Sequence, residues 1–394
     1  MTVTQDPGLA EPPARSAEAT PSPLPLPAPA AHRIVLLNAG GYEGGGIGRI
    51  MLYMVRDWRL GSDSSTFTMI DTRGNGRAWQ MPLYFPLALL RLLAMRLAGA
   101  VDLVHINAAG RGSMLRKVQF SLLAELLRLP TVLHLHEPDL AGDMAERGPL
   151  MRWLADRMFL HARRIVVLGE GDRTLVLRLF PVRPEAVVVV HNAVPEPAEA
   201  TPGAVPASPE QPPALLFLGD LSDRKGVPEL LKALARPELR RRPWHLTLAG
   251  GGPLDRFKGE VAAAGLGDRI TFTGWVTPEK VQALLRSADL FALPSHGEGQ
   301  AMSLLEAMAH GLAIVATPVG SHLEVVKDEE SALLVTPGDV DQLARRLLRL
   351  TDDRPLRERL GAAARARYEA GFSTRSYVRR MAGIYGEVVA EAVG

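Results

Sequence analysis

The sequence lacks cysteine, which excludes disulfide bonds, thiolate metal sites and cysteine nucleophiles. It also lacks any run of about 18 uncharged apolar residues, so we expect no membrane-spanning helix. The nearest candidate, residues 81–100, is interrupted by Pro86, Arg91 and Arg96. A strong excess of charge is missing as well, because the net charge is only +2 over 394 residues and gives no argument for a nucleic-acid partner. These absences are consistent with a protein of the reducing cytoplasm.

Proline and alanine dominate two stretches that we predict to lack regular structure. Residues 1–31 contain acidic side chains and no apolar core, so they do not resemble a secretory signal and are predicted to form a disordered tail. Residues 192–213 are rich in Pro, Ala and Glu, which is typical of a linker. The chain is therefore expected to divide into a first domain at 32–191, a second domain at 214–372 and a C-terminal segment at 373–394.

The most informative stretch combines two short apolar strands with a glycine-rich loop and a helix. We predict strands at 289–293 and 312–316 and a helix at 301–310, which consists largely of strong helix formers. Gly311 follows the helix and is expected to adopt the left-handed conformation of a helix cap. Glu298 lies between two glycines in the loop, so a carboxylate precedes the helix N-terminus directly.

A loop that leads into a helix N-terminus can bind an anion, because free backbone amides and the helix dipole both point toward it. The amides of Met302 and Ser303 would hold a charged group. Glu298 and Glu306, with seven residues between them, would then bind hydroxyl groups on either side of that group. The alternative is that Glu298 is a solvated loop acid and Glu306 an ordinary residue of the helix surface.

Two further turns follow predicted strands of the first domain, where open α/β sheets place their ligands. The strand at 32–38 is followed by glycine-rich residues and a helix at 49–59, a pattern that begins nucleotide-binding units but also fits a flexible loop. His136 ends the strand at 131–136 and lies on the same face as His134. Either imidazole could bind a ligand or be a buried core residue.

Arg224 and Lys225 lie in the turn after a predicted strand at 214–218. Fixed cations in a water-excluded cleft would neutralise a departing diphosphate, whereas the alternative is a solvated basic turn. Strands and helices alternate roughly six times in each half of the chain. The expected fold class is therefore α/β, with two doubly wound parallel sheets whose glycine-rich turns face one another across a cleft.

The residues LPSHGEGQAMSLLEAMAHGLAIVATPVGSHLEVV resemble the signature of glycosyltransferase family four, a large family of retaining enzymes. The resemblance extends over nearly all of residues 33–385, with the motifs in the family's order. It implies the GT-B fold, in which two Rossmann-like domains face one another and the terminal helix returns to the first domain. It also implies sugar transfer from a nucleotide diphosphate donor, by same-face attack that the leaving phosphate assists.

The resemblance implies roles for the residues that match the family's motifs. Glu298 and His136 would contact the donor sugar from opposite domains, and Arg224 and Lys225 would neutralise the diphosphate. The other donor-binding residues would be Gly45, Gly46, Gly274, Val276, Met302, Ser303 and Glu306. Among them Glu306 would hold the ribose, and the backbone after the strand that ends near Gly274 would hold the base.

Two positions depart from the family pattern. Gly169 replaces a serine, and Asp220 stands where the family has an arginine, so that Arg224 is the nearest replacement. No metal or other cofactor is expected besides the nucleotide sugar, which is a substrate. The one Asp-x-Asp spacing, at residues 339–341, is interpreted as the N-cap and first turn of a helix.

The acceptor is the least specified part of the prediction. Residues 77–128 carry seven basic against two acidic side chains, namely Arg77, Arg91, Arg96, Arg111, Arg116, Lys117 and Arg128 against Asp102 and Glu125. The helices there are either core helices with basic outer faces or a surface that contacts anionic lipid. Glu137, Asp139 and Arg111 are further candidates for acceptor binding.

The resemblance and the residues together predict a retaining hexosyltransferase that uses a UDP- or GDP-sugar. Its acceptor would be a saccharide, a lipid-linked sugar or a small molecule, in polysaccharide or glycolipid assembly. The expected location is the cytoplasm, with peripheral contact to the inner face of the cell membrane as a further expectation. Two alternatives stay open: a nucleotide-sugar 2-epimerase of the same fold, and a non-catalytic partner protein that binds a nucleotide sugar.

Overall fold

A computed structural model describes residues 31–43, 45–58, 64–74, 81–110, 112–137, 139–197 and 212–393. The tail predicted at 1–31 lies outside the described residues except for Ala31. Arg111 and most of the predicted linker at 192–213 lie outside them as well.

The first half of the chain alternates strands with helices. Its elements are β1 Arg33–Asn38, α1 Gly45–Trp58, β2 Thr66–Asp71, α2 Met81–Leu97, β3 Leu103–Ala108, α3 Gly112–Leu126, β4 Thr131–Leu135, α4 Leu140–Ala145, α5 Pro149–His161, β5 Arg164–Val167, α6 Glu170–Leu179 and β6 Val187–Val189. Within the described residues these strands form one parallel sheet in the order β2-β1-β3-β4-β5-β6. We call this sheet and its helices the N-terminal domain.

The second half repeats the same architecture. Its elements are β7 Ala214–Leu218, α7 Val227–Leu234, α8 Pro237–Arg240, β8 His245–Ala249, α9 Leu254–Ala263, β9 Ile270–Gly274, α10 Pro278–Ser287, β10 Leu290–Leu293, α11 Met302–Ala309, β11 Ala313–Ala316, α12 His322–Val325, β12 Leu333–Leu334, α13 Val340–Asp352, α14 Arg354–Gly371 and α15 Thr374–Val393. The described strands form a parallel sheet in the order β12-β11-β10-β7-β8-β9. We call this sheet with helices α7–α14 the C-terminal domain.

The strands are short apolar runs whose residues are buried on both faces of each sheet. Every residue of β3, β4, β10 and β11 is buried. Such continuous apolar runs are typical of parallel strands that are covered by helices on both sides. The predicted fold class, two Rossmann-like domains of doubly wound parallel sheet that face one another, is confirmed. Within the described residues, no helix is long and apolar enough to span a membrane.

The chain crosses between the two domains twice, and the two crossings lie side by side. The Val194 amide donates to the Phe372 carbonyl at 3.1 Å, and the Thr374 amide donates back to the Val194 carbonyl at 3.2 Å. After the second crossing, α15 returns to the first sheet, where the Tyr385 hydroxyl lies 2.6 Å from Nδ1 of His105. The paired crossings therefore form one connection between the domains, where a hinge can act.

Two differences from the predicted elements bear on function. Helix α1 begins at Gly45, four residues before the predicted start at Arg49, so the paired glycines form its first turn. The basic outer face considered for the helices within residues 77–128 is wrong for Lys117, which lies on α3 and is fully buried. Its ammonium donates to the Thr72 hydroxyl at 3.0 Å, and this interior partner has no signal in the helix sequence.

Candidate active site

Three strands of the C-terminal domain carry predicted site residues at or just beyond their carboxyl ends, and a fourth strand lies between two of them. Strand β10 leads to Glu298, β7 to Lys225, β8 to the turn at Gly250, and β9 ends at Gly274. These strands are adjacent in the order β10-β7-β8-β9. The Gly250 amide donates to the Gly274 carbonyl at 2.9 Å, which joins the last two turns. The predicted residues thus line one edge of the sheet, where α/β folds bind ligands.

Glu298 is a buried carboxylate rather than a solvated loop acid. It is 8% exposed, accepts a hydrogen bond from the Ser295 hydroxyl at 2.9 Å and lies 2.5 Å from the Lys225 ammonium. Arg224 lies farther out, with Nη1 3.6 Å from the second carboxylate oxygen and 2.7 Å from the Gly297 carbonyl to which it donates. The solvated alternative for the basic turn is therefore wrong for Lys225, whose side chain is 12% exposed.

A glycine holds the turn of Lys225 against the loop of Glu298. Gly226 has φ = +73°, and a Cβ placed on it would overlap the carbonyl oxygen of Pro294. Only glycine adopts this conformation without strain and leaves room for that oxygen. The local sequence therefore sets the distance between Lys225 and Glu298 through backbone contact.

Two helix N-termini meet across the cleft. The first turn of α1 lies against the start of α11, since a Cβ placed on Gly46 would lie 3.8 Å from Cγ of Met302. Ala301 occupies the N-cap position of α11, and alanine carries no side-chain acceptor for the amides of Met302 and Ser303. The positive ends of two helix dipoles therefore point into one space, which favours a multiply charged anion such as a diphosphate.

One turn farther along each helix, Arg49 of α1 forms an ion pair with Glu306 of α11. Glu306 is 2% exposed, so its interpretation as a surface residue is wrong. Arg49 engages Oε1, while Oε2 is buried and has no hydrogen-bond partner among the described residues. Burial raises the pKa of Glu306, and the charge of Arg49 opposes that shift. The free acceptor oxygen is suited to a hydroxyl donor such as a ribose.

We predict that Arg49→Met weakens nucleotide binding about tenfold, since a buried Glu306 without its cation is protonated and poorly oriented. The same change should increase the radius of gyration of the free protein in small-angle X-ray scattering, because the pair joins the two domains. Arg56→Met, an exposed arginine of the same helix that pairs with the neighbouring Asp57, is the matched control. Equal nucleotide affinity in both variants would contradict this role.

His136 follows β4, and its backbone lies near the C-terminal domain. Its Nε2 lies 3.0 Å from Oδ1 of the buried Asn107, and its ring lies 4.0 Å from the ring of His134. A Cβ placed on Gly299, next to Glu298, would lie 3.8 Å from the His136 carbonyl oxygen. Burial lowers the pKa of His136 to about 3, so the imidazole is neutral near pH 7. The structure therefore brings His136 and the Glu298 loop together.

The departure at Gly169 has a structural reason in a contact between the domains. Glu324 of the C-terminal domain accepts a hydrogen bond from the Glu170 amide at 2.8 Å and thereby caps α6 of the N-terminal domain. A Cβ on Gly169 would lie 2.5 Å from that carboxylate oxygen and 2.9 Å from Cβ of Ser321. Glycine here permits the close approach that a serine would obstruct.

The Glu324 contact predicts a pH dependence through Asp172. Burial and the negative charge of Glu324 raise the pKa of Asp172 to about 6 from an ordinary 3.8. The stability that this group contributes is fully present below its unfolded pKa and is lost as the pH rises through about 6. Asp172→Asn should therefore raise Tm by about 2–4 °C near pH 7.5 and by about half as much near pH 5, because the loss of stability begins at the ordinary pKa of 3.8.

The exposed Asp255 provides the matched control, since Asp255→Asn should leave the wild-type Tm unchanged at both pH values. Scanning calorimetry of the three proteins at both pH values checks this prediction. A gain in Asp172→Asn that is equal at the two pH values would contradict it, because the cost of a raised carboxyl pKa grows with pH between the unfolded and the folded pKa.

The remaining predicted residues lie after strands of the two sheets and make no contact described above with Glu298 or Lys225. Val276 is half-buried just after β9, and Asp220 is exposed after β7. Asp139 accepts from the Gly142 amide at 3.0 Å as the N-cap of α4, a structural role that the sequence analysis did not assign. The Glu137 carboxylate lies over Gly110, at the end of β3.

The interpretation of the Asp-x-Asp at 339–341 as a helix cap is confirmed, because Asp339 accepts from the Gln342 amide at 2.8 Å. Sequence reasoning missed Arg49, Asn107 and Glu324, whose partners lie on other elements, and also Ser295, whose partner Glu298 lies in the same loop. In the described part of the chain, His, Asp and Glu side chains form no group of three or more that could hold a metal ion.

Family models match both domains. The model described as glycosyl transferases group 1 matches residues 203–367, and that of the glycosyl transferase 4-like domain matches residues 28–193. The MMP alpha-(1->4)-mannosyltransferase of Mycolicibacterium hassiacum is 30% identical over 84% of this chain and 82% of its own. The D-inositol 3-phosphate glycosyltransferase of Salinispora arenicola is 31% identical over 78% of this chain and 73% of its own.

Solved structures support the fold. Sucrose-phosphate synthase from Thermosynechococcus elongatus superposes with a TM-score of 0.72 at 20% identity, over 91% of this chain and 99% of the other. The Anabaena protein HepE, in complex with UDP and glucose, superposes with a TM-score of 0.70 at 18% identity, over 90% of this chain and 100% of the other.

The fold and the family matches together define a glycosyltransferase of the GT-B class. The chain belongs to glycosyltransferase family four, whose two family models together span most of its length.

Proposed function

We propose that this chain is a retaining transferase that moves a hexose from a UDP- or GDP-sugar to a saccharide, lipid-linked or small-molecule acceptor. The observation that carries this proposal is the buried pair of Lys225 and Glu298, whose loop lies against the His136 backbone of the other domain. The helix N-termini at Gly46 and Met302 adjoin it. A cation, a carboxylate and convergent amides are the groups that sugar transfer from a diphosphate requires.

Each group has a distinct task in the proposed reaction. Lys225 and Arg224 neutralise the charge that develops on the diphosphate as the glycosidic bond breaks, and the amides of Met302 and Ser303 assist. Glu306 binds the ribose hydroxyls through its free oxygen, and the turn at Gly274 holds the base. No metal or other cofactor is included in this proposal.

Glu298 and His136 act on the donor sugar. We assign Glu298 to sugar hydroxyls and to the positive charge that grows on the anomeric carbon, because Lys225 and Ser295 already hold one of its oxygens. Neutral His136 hydrogen-bonds the sugar from the other domain, so that cleft closure completes the site. The acceptor hydroxyl attacks from the face that the phosphate leaves, and a phosphate oxygen takes its proton.

The names of similar proteins support the donor class. HepE was solved with UDP and glucose, and the relatives include mannosyl- and glucosyltransferases. UDP and GDP hexoses are therefore the first donors to test. We further propose that the enzyme acts in polysaccharide or glycolipid assembly.

The test measures nucleotide release from UDP-glucose, UDP-galactose and GDP-mannose with a panel of saccharide acceptors, and NMR reads the anomeric configuration of the product. We expect an α-linked product from an α-linked donor. An inverted product would contradict retention. Epimerised free sugar without any acceptor would favour a 2-epimerase, and donor binding without turnover would favour a non-catalytic partner.

Peripheral contact with an anionic membrane is a further part of the proposal. On α2 the side chains of Leu87, Leu90 and Leu97 are 54%, 59% and 79% exposed, and Arg91 and Arg96 are exposed beside them. Exposed leucines interleaved with arginines are typical of helices that lie on anionic lipid.

Cosedimentation with phosphatidylcholine vesicles that contain phosphatidylglycerol tests this contact. Binding should fall steeply as salt is raised, because the arginines contribute through screened charges. Leu90→Asp should abolish it, whereas Leu323→Asp, a leucine of similar exposure in the C-terminal domain, should leave it intact. Absent or salt-independent binding would contradict the contact.

A further inference from the structure

The turn between β11 and α12 lies directly against the loop of Glu298, and we call residues 317–321 the bracing turn. A Cβ placed on Gly320 of this turn would lie 2.1 Å from the Glu298 carbonyl oxygen. The Ser321 amide donates to the Gly299 carbonyl at 3.0 Å, and the Ser321 hydroxyl donates to the same oxygen at 3.2 Å. Because the two backbones are in contact, the position of the loop depends on the conformation of the bracing turn.

A chain of hydrogen bonds extends from the bracing turn to the Glu298 carboxylate. The Thr317 hydroxyl donates to the Ser295 carbonyl at 2.6 Å. The Ser295 hydroxyl in turn donates to Oε1 of Glu298 at 2.9 Å. All three residues are buried, since none of them is more than 8% exposed. Thr317 and Ser295 therefore orient the carboxylate that we assign to the donor sugar.

His322 is the first residue of α12 and closes the bracing turn. Its Nδ1 lies 3.0 Å from the Thr317 carbonyl oxygen, which can only accept, so Nδ1 carries the proton. The Val319 amide donates to the same oxygen at 2.9 Å. The imidazole is fully buried, and burial lowers the pKa of His322, so the ring is neutral near pH 7. His322 is thus a neutral donor that holds the turn in place.

The second ring nitrogen of His322 indicates a role beyond structure. Nε2 is buried and has no hydrogen-bond partner among the described residues. A buried acceptor without a donor is costly, and an apolar side chain at this position would avoid that cost. Besides burial, the charge of Glu298 raises the pKa of His322 and the charge of Lys225 lowers it. The imidazole therefore lies within electrostatic reach of that ion pair, which a neutral donor leaves undisturbed.

We propose that His322 is a positioning residue for sugar transfer, which fixes the Glu298 carboxylate through the bracing turn and does not touch the substrate. This inference rests on the proposed function, since it concerns the same carboxylate. The hydrogen bond from His322 to the Thr317 carbonyl keeps the Thr317 hydroxyl directed at Ser295. The Ser295 hydroxyl then keeps Oε1 of Glu298 in place. A carboxylate that is held before the donor binds does not have to reorganise during the reaction.

Steady-state kinetics of His322→Asn and His322→Leu, with a donor and an acceptor that the wild type uses, test this role. Asparagine retains an amide donor near the position of Nδ1, whereas leucine fills the site without a donor. We expect His322→Asn to keep kcat within about threefold of the wild type and His322→Leu to lose about ten- to a hundredfold. The Kd for UDP or GDP should stay the same in both variants, because Lys225 and helix amides hold the diphosphate. His245→Leu, at the amino end of β8, is the matched control and should keep the wild-type kcat.

Two variants of Thr317 test whether the effect passes through the bracing turn. Thr317→Ser keeps the hydroxyl and should keep kcat, whereas Thr317→Val, which has nearly the same shape, should resemble His322→Leu. When Thr317→Val and His322→Leu are combined, the two losses should not add, because both act through one chain of hydrogen bonds. Additive losses overturn the proposal, and so does a loss in His322→Asn as large as that in His322→Leu.

Nuclear magnetic resonance of protein with isotope-labelled histidine gives a readout that does not depend on turnover. The spectra distinguish the two neutral tautomers, and comparison with His322→Asn assigns the signals of His322. We expect a proton on Nδ1 at pH 7, and a proton on Nε2 instead, or a charged ring, overturns the proposal.

The kinetic results separate this proposal from the proposed function. A wild type that transfers sugar no faster than His322→Leu overturns the positioning role alone. A wild type that transfers no sugar counts against the transferase function, and the positioning role fails with it because it belongs to that reaction.

Discussion

Replacing Glu298 by Gln is expected to lower kcat by about 10²- to 10³-fold, a magnitude typical of losing one preorganised electrostatic group. Glutamine keeps the shape of the side chain and can still accept from the Ser295 hydroxyl, so the loop should remain in place. The neutral amide no longer stabilises positive charge at the anomeric carbon. Nucleotide affinity should change little, since the diphosphate is held by Lys225 and by helix amides.

Steady-state kinetics with a donor and an acceptor that the wild type uses, combined with nucleotide titration, check that kcat falls while nucleotide affinity changes little. Glu238→Gln, an exposed glutamate of α8, is the matched control and should retain the wild-type kcat. A wild-type kcat in Glu298→Gln would contradict a role for Glu298 in the reaction.

Gly226→Ala should destabilise the C-terminal domain by about 3 kcal/mol or more, because two costs add at one position. Gly226 has φ = +73°, which is unfavourable for any side chain, and its Cβ would overlap the Pro294 carbonyl oxygen. Backbone has to move to relieve that overlap, and the moving segments carry Lys225 and the Glu298 loop. We therefore expect Tm to fall by about 6–12 °C and activity to be lost with it.

Gly259→Ala is the matched control for this substitution. Gly259 lies on α9, and a Cβ placed on it meets nothing within 4 Å. Alanine in a helix is favoured over glycine by about 0.5–1 kcal/mol, so Tm should stay equal or rise slightly. Equal thermal stability of the Gly226 and Gly259 variants, measured by calorimetry, would contradict the proposed backbone constraint.

Local signals explain why much of the fold was predictable from sequence. Gly311 has φ = +67° at the end of α11, as expected for a helix cap, and Pro294 follows the end of β10. Short apolar runs that alternate with helices specify parallel sheets, because both faces of each strand need apolar cover. The order of the glycine-rich turns along the chain then places them at one edge of each sheet.

Contacts between distant parts of the chain were not predictable in the same way. Arg49 and Glu306 are 257 residues apart, and the Glu170 amide and Glu324 are 154 apart. Lys117 occupies a helix position that composition assigns to the surface, yet its ammonium reaches Thr72 beneath the turn. Such pairings depend on how two helices or domains meet, which a single sequence does not encode in any local pattern.

The central claim is that the cleft between the domains binds a nucleotide diphosphate through Lys225. A thermal-shift screen of the wild type and of Lys225→Ala against UDP, GDP, ADP and TDP tests it most directly. We predict that one nucleotide raises the wild-type Tm by several degrees, since ligands that bind only the folded state stabilise it, and that Lys225→Ala loses this rise. Wild-type protein whose Tm responds to none of the four nucleotides, or a rise that persists unchanged in Lys225→Ala, would contradict the claim.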